Sequence, residues 1–382
     1  FTVPAADVTV TASTATTYSV NLPANMEIVS ATNTADGSGK YISGTVVTFK
    51  ASFSYTASNV YDGANTLTAD DSGNYSVTVG TADITVTATI EHSSNIDLSQ
   101  APSDFTVVDG DVLTGSTSHT VTIANGASIT LNDATITGGI VCAGTATITL
   151  VGTNSVTGLS RNLSDPNNTY NSAGIQIGGE GTTLTIRGNG SLTATGGSQS
   201  AGIGVRSALS NYNESDVSGG NIVIEGGNIV AQTSGYGAAG IGTGCTLERI
   251  SSIGTITIKG GTVTATGGTD ANGIGNGDAY GEGGTSSVGT ITFYDSIDLI
   301  DASSISDFGS VVYMHGETDV TASKTDYFAI VEDGDRRIIA PKDDTDYTIN
   351  IANDIEHGTL TGATTAKFGD NVTITATPAL DS

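Results

Sequence analysis

Residues 183–196, TLTIRGNGSLTATG, decide the fold. Leu184 and Ile186 alternate with Thr183 and Thr185, the period-two pattern of a strand with one buried face. Arg187-Gly188-Asn189-Gly190 supplies residues that tolerate positive φ, so a tight turn is expected there. A second alternating strand then points Leu192 and Ala194 inward. Near-copies occur at 147–158 (TITLVGTNSVTG), 221–235 (NIVIEGGNIVAQTSG) and 255–268 (TITIKGGTVTATGG), with a degenerate copy at 290–303 (TITFYDSIDLIDAS). Aligned on Val151, Arg187, Glu225, Lys259 and Tyr294, the copies recur every 34 to 38 residues. A repeat of that length without helix-forming sequence predicts a stacked β solenoid.

A strand of small residues completes each coil: Ala173-Gly174-Ile175, Ala201-Gly202-Ile203, Ala239-Gly240-Ile241 and Asn272-Gly273-Ile274. Three short strands joined by Gly-rich corners make one turn of a parallel β-helix. Each coil then satisfies the backbone of the next at about 4.8 Å, and like residues stack into apolar ladders. The five aligned turn residues are expected on one corner. A β-sandwich of internally similar strands is the competing all-β fold.

The chain carries 12 Lys plus Arg against 39 Asp plus Glu, a formal charge of −27. Nucleic acid and anionic membranes are therefore excluded as partners, and pectin-like polyanions are disfavoured unless calcium bridges them. No apolar run is long enough to span a bilayer. The sequence opens at Phe1 without a signal-like segment, which reads as an excised or processed piece. Cys142 and Cys245 occupy non-equivalent places in their coils and read as two buried free thiols, not a disulfide framework.

The flanks repeat a different unit. Residues 18–55 are similar to 347–378: a Tyr-led strand, a Gly-containing turn, Lys40-Tyr41 or Lys367-Phe368, and a Val-Thr strand ending in Ala. The expected plan is a β-sandwich-like module at 1–92, the β-helix with its cap at 93–300, a β connector at 301–346 and a truncated second module at 347–382. Half a module lacks a full core. Further modules are expected in the full-length chain.

The modules resemble the Gly-Thr-Val-Thr-rich repeat domains strung along large bacterial cell-surface proteins. The block with TITIKGGTVTATGG and Ala-Gly-Ile-Gly resembles the right-handed parallel β-helix of secreted bacterial surface proteins with the pectin-lyase-like fold, over roughly 115–300. That resemblance implies an extracellular, carbohydrate-binding or adhesin-like protein. It is weak for activity, because the fold hosts lyases, hydrolases, binders and passive stalks alike. The hydrolases of this fold use Asn-x-Asp, Asp-Asp, Gly-His-Gly and Arg-x-Lys on successive coils; residues 147–290 contain no Asp-Asp, Gly-His-Gly or Arg-x-Lys, and Asn276-Gly277-Asp278 stands alone. Asp70-Asp71, Asp343-Asp344, His315 and His357 lie outside the repeats, and Asn132-Asp133 reads as a turn at the start of the helix. Arg187 and Lys259 flank Glu225 and read as a surface charge ladder, not as lyase bases.

The informative departures from the repeat lie at two corners. Before the Ala-Gly-Ile strand come the inserts 159–172 and Gly235-Tyr236-Gly237. After it, three consecutive coils expand at 205–219, 243–254 and 276–288. Two of these carry Tyr-x-Glu, Tyr212-Asn213-Glu214 and Tyr280-Gly281-Glu282, while Asp216, Glu248 and Asp278 add carboxylates and Asn211 an amide. Recognition usually resides in loops on a rigid scaffold, and sugars need an aromatic face beside carboxylates and amides. The expected ligand-binding set is Tyr212, Glu214, Asp216, Glu248, Asp278, Tyr280 and Glu282, the partner a glycan or a host or cell-surface polysaccharide. The same oxygens could hold calcium, although no run has a recognised calcium-loop spacing, and no other cofactor is expected. Tyrosines that merely cap the loops' own core are the alternative.

Two other roles compete. A Thr array (Thr183, Thr185, Thr193, Thr195, Thr255, Thr257) is the kind of surface that binds ice, but the coil at 221–233 interrupts it with Val223 and Val230. A rigid stalk would bind nothing. The expected role is a secreted or surface-anchored adhesin that recognises carbohydrate without catalysis.

Overall fold

The computed structural model describes residues 14–161, 171–307, 310–342, 345–352, 358–367, 369–370 and 372–378. Asp343-Asp344, His357 and most of the 159–172 insert lie outside them. The chain divides into two compact units, 1–95 and 96–382.

In the first unit, Val46–Ala51 alternates buried and solvent-facing residues and pairs antiparallel with Met26–Ala31 and Tyr75–Thr78. A second sheet contains Val20–Asn21, Ile84–His92, Tyr55–Asp62 and Asn65–Thr66. Val47, Phe49 and Val77 from one sheet meet Val60, Ile84 and Val86 from the other in a single core.

The second unit is a parallel β solenoid. One sheet carries two strands from each long coil, for example Thr183–Gly188 and Ser191–Gly196 stacked on Asn221–Ile224 and Asn228–Thr233. A second sheet stacks seven short strands from Phe105–Val107 to Ile274–Gly275. Ile129, Ile148, Ile186, Ile224 and Ile258 form one inward column that continues as Phe293 and Tyr313. Each is at most 2% exposed, and burying such a side chain is worth about 1.5–3 kcal/mol. A second column runs Ile140, Ile175, Ile203, Ile241, Ile274. The polar exception is Asn154, buried in line with Leu192, Ile229 and Val263. Its carboxamide accepts from the Ala134 amide at 2.9 Å and donates to the carbonyls of Val151 and Ser191 at 2.9 and 3.1 Å. Corner acids and amides help bind coil to coil: Asp109, Asn125, Asp133 and Asn221 accept the backbone amides of Ser128, Thr145, Thr153 and Thr255 in the next coil at 2.8–2.9 Å.

Backbone pairing corrects the expected corner ladder at one position. Arg187, Glu225, Lys259 and Tyr294 follow one another in register, and the Lys259 ammonium lies 5.8 Å from the Tyr294 ring centre. The residue opposite Arg187 is Thr149, which accepts from the Arg187 Nε at 3.2 Å; Val151 lies two residues further along. Gly152 matches the second glycine of Gly188-Asn189-Gly190, not the first, because Thr153 pairs with Ser191.

The true ladder is longer: Val112, Thr130 and Thr149 precede Arg187, and Met314 follows Tyr294. Its steps separate two kinds of coil. Those before Thr149 and after Tyr294 take 18 to 20 residues; those between take 34 to 38.

Parallel stacking thus runs past residue 300 to Val312–His315. An antiparallel hairpin, Phe328–Asp333 and Arg336–Pro341, then pairs with Ile297–Ala302 and occupies an edge that would otherwise offer open backbone groups. Tyr313 plugs this end between Phe293 and Phe328, with ring centres 6.0 and 5.0 Å apart in edge-to-face geometry. Beyond it, Tyr347–Thr348 pairs with Thr365–Ala366, and Gly358–Gly362 with Ile374–Pro378. No described residue of 345–378 is buried.

Candidate functional site

The extra residues of three long coils are not irregular loops. Ala208–Leu209, Thr246–Leu247 and Ala279–Tyr280 stack as one parallel sheet, and Val217–Ser218, Ile250–Ile253 and Thr285–Val288 as another. Together they form a lateral arm that follows the Ile-Gly strands in each coil. The glycines at its root are obligatory: Gly204, Gly242 and Gly275 have φ of 147°, 144° and 128°, and a Cβ on Gly204 would overlap the Gly242 carbonyl. The last Gly of Ala-Gly-Ile-Gly is therefore a close-approach residue.

Glu214 ties the arm together from within. Its carboxylate has no exposed surface and pairs with Arg161 at 2.8 Å and Arg206 at 3.7 Å. It also accepts from the Ser207 hydroxyl at 3.1 Å and the Leu209 amide at 2.9 Å. Arg249 donates to the Glu214 carbonyl at 2.8 Å. Arg161 also lies with its guanidinium carbon 3.8 Å from the Tyr212 ring centre. One arginine from the insert before the Ile-Gly strands thereby fixes both a buried carboxylate and an exposed ring on the arm.

The two corners, separate in the sequence, converge on one groove. Leu209, Leu247 and Tyr280 stand in register and make its floor, and Gln199, Asn211, Tyr212 and Tyr236 surround it, enclosing about 400 Å³. Tyr212, Tyr236 and Tyr280 are 43%, 54% and 38% exposed, unusual for rings that line a groove with two Leu side chains. The row of three floor residues spans two coil spacings, about 10 Å along the solenoid axis.

The expected ligand-binding residues divide by position. Tyr212 and Tyr280 line the groove. The Tyr280 hydroxyl donates to the Asp278 carboxylate, which pushes that hydroxyl above the usual tyrosine range, and burial and the Asp278 charge add to the effect. Asp278 also accepts from the Ala279 amide at 2.7 Å. Glu248, at φ 52°, accepts from the Ser210 hydroxyl at 2.9 Å beside Asn211. Asp216 is exposed and accepts from the Ile250 amide at 2.9 Å, and Glu282 is exposed. Glu214 faces inward with its oxygens occupied by arginine, hydroxyl and amide donors. The two Tyr-x-Glu runs are also not equivalent, since the residue stacked above Tyr280 is Leu247 and above that Leu209, not Tyr212.

Tyr236, Gln199, Leu209 and Leu247 were not among the expected residues. Tyr236 carried a signal, as the one aromatic side chain in its corner insert, Gly235-Tyr236-Gly237. The Leu pair carried none, because Leu is the ordinary inward residue of these strands.

The other candidates have structural roles. Asp70 accepts the amides of Ser72 and Asn74 at 2.9 Å each, which holds its carboxyl below the usual range, the bonds from Asn74 acting most strongly. Asp133 serves the corner described above, and His315 bonds Asp295 and stacks on Tyr327. Burial pushes the thiols of Cys142 and Cys245 up to about 12, with Asp278 and Glu214 adding to the effect at Cys245. Both cysteines are free and buried. Among the described residues, no three His, Cys, Asp or Glu side chains converge as a metal site would require. The outward Thr rows are interrupted in register, with Val223 between Thr185 and Thr257 and Val230 between Thr193 and Thr264.

No protein-family model, curated protein or solved structure matches this chain.

Proposed function

We propose that this chain is a non-catalytic carbohydrate-recognition protein of the bacterial cell surface or its secreted fraction, a right-handed β-helix of the pectin-lyase-like kind that acts in adhesion. The observation that carries the reading is the groove on the arm. Three exposed tyrosine rings, one of them in the floor with Leu209 and Leu247, line it beside the amides of Gln199 and Asn211. Sugar rings present CH faces that pack on aromatic surfaces and hydroxyls that pair with amides and carboxylates. The rigid columns beneath the arm preorganise that surface, so little ordering entropy is lost on binding.

The test is a glycan array probed with the intact chain, with calcium and with chelator, repeated with Tyr212→Ala/Tyr280→Ala. Binding to a defined glycan that falls at least about tenfold in the double variant, a loss of about 1.4 kcal/mol, supports the reading. Its melting temperature should stay near that of the parent. A parent chain that binds no glycan in either condition is a spacer, the second reading, which the unbroken apolar columns favour. Release of reducing sugar overturns the non-catalytic assignment.

A further inference from the structure

We infer that the groove on the arm takes an uncharged glycan laid along the solenoid axis, and that its rim selects against uronic or sulfated chains. This rests on the carbohydrate reading above and names the class of sugar. The selectivity arises from where the arm places its charges, which net charge alone does not reveal.

Residues 205–219, 243–254 and 276–288 contain no lysine and two arginines, Arg206 and Arg249. Arg206 turns toward Glu214 and the Ser207 carbonyl, at 3.7 and 2.8 Å. Arg249 binds the carbonyls of Glu214 and Glu248, at 2.8 and 3.2 Å. The third cation, Arg161, has a side chain only 9% exposed and meets Glu214 and the Tyr212 ring. These three arginines are thus all engaged, Arg161 and Arg206 with the buried Glu214 carboxylate and Arg249 with two backbone carbonyls. The carboxylates beside the groove are not neutralised in this way. Glu248 accepts from Ser210, next to the lining residue Asn211, and lies against Gly281 beside Tyr280, while Asp278 lies against Gly237 beside the lining residue Tyr236.

A polyanion entering the groove would meet carboxylates and no available arginine. At about 0.1 M salt the Debye length is about 10 Å, comparable with the length of the floor, so both ends of a bound chain would feel the repulsion. Juxtaposed like charges reject wrong partners strongly. A neutral chain meets ring faces, two Leu side chains and hydroxyl-compatible oxygens and amides. The floor follows the coil axis for about 10 Å, which suits about two linked pyranose rings.

The experiment titrates the intact chain with neutral hexose oligosaccharides of one to six units and with uronic oligosaccharides of the same linkage, at low and high salt. The neutral series should gain affinity up to two or three units and then level off. The uronic series should bind at least about tenfold more weakly at 0.1 M salt, with the gap narrowing at 1 M as the Debye length falls to about 3 Å. In Glu248→Gln/Asp278→Asn, which keeps the acceptors and removes the charges, the ratio of neutral to uronic affinity should fall several-fold. Equal binding of both series by the parent overturns the selectivity while leaving carbohydrate recognition intact. A ratio unmoved by both salt and the double variant overturns the role of the rim. Binding of neither series overturns the carbohydrate reading itself.

Discussion

The solenoid contains two kinds of coil built on the same ladder. Coils of 18–20 residues at its ends consist of little besides strands and tight corners, whereas three of the four coils of 34–38 residues in its middle carry the arm. Ile148 of the short-step region and Ile186, Ile224 and Ile258 of the long coils are equally buried, so the arm costs the core nothing. The added length is stored laterally, where it stacks on itself coil by coil. Scaffold and groove should accordingly be separable, the first resting on apolar columns and the second on a buried charge cluster.

The strongest test of that separation is Glu214→Ala. It leaves Arg161 and Arg206 without their carboxylate, and breaking such a pair costs about 3–5 kcal/mol. The loss should be local. Amides of 205–219 and 246–253 should exchange faster and Cys245 should become open to alkylation, while Cys142 and the amides of 128–151 keep their protection. Equal loosening of both thiols would show that arm and ladder unfold as one.

Asn154→Ala is the converse. It strands the Ala134 amide and two carbonyls inside the solenoid, at a cost of about 1–3 kcal/mol. Global melting should fall while glycan affinity at the groove is unchanged after correction for folded fraction. A selective loss of binding would mean that the groove reads strain in the ladder.

A smaller effect concerns the closing hairpin. Arg336 donates twice to Asp301, at 2.8 and 2.7 Å, and this holds the Asp301 carboxyl below its usual range. A depressed carboxyl contributes stability that is present above its unfolded value of about 3.9 and is lost as pH falls through the folded value. Because Arg336 is about half exposed, the contribution should be at most about 1 kcal/mol. Asp301→Asn should therefore melt slightly earlier than the parent at pH 7, and the difference should shrink as pH falls below the ordinary carboxyl range and vanish once the folded carboxyl is protonated. A difference that persists in acid would assign the effect to packing. The smallest change is expected for Arg187→Ala or Lys259→Ala on the exposed corner ladder, about 0–1 kcal/mol and reduced by salt.

The two flanking segments of similar sequence, 18–55 and 347–378, make a parallel case. Gly44 and Gly369 share the same left-handed turn, at φ 89° and 85°, and lead into strands of similar sequence. Phe49 in the first is fully buried beneath a second sheet, while Ile374 at the corresponding place in the second is 43% exposed. Strands form in both, but among the described residues only the first is packed into a core.

Alternation and repeat length determine much of this molecule. The inward residues Leu184, Ile186, Leu192 and Ala194 are all buried, because side-chain direction in a strand has period two. That same period hid the register error at Val151. Shifting a coil by two residues keeps every residue on its own face, so only backbone pairing distinguishes the two glycines of Gly188-Asn189-Gly190. The expanded segments announced the arm, and Tyr212 and Tyr280 were legible as exposed aromatics in them. What the tertiary structure alone decided was direction and company. Glu214 and Glu282 share a motif, but Glu214 turns inward because Arg161 arrives from an insert 53 residues earlier in the chain. Tyr236 and Gln199 join the groove because the Ile-Gly strands between the two corners are only two residues long. Contacts of that kind depend on chain paths crossing in space, and no local spacing encodes them.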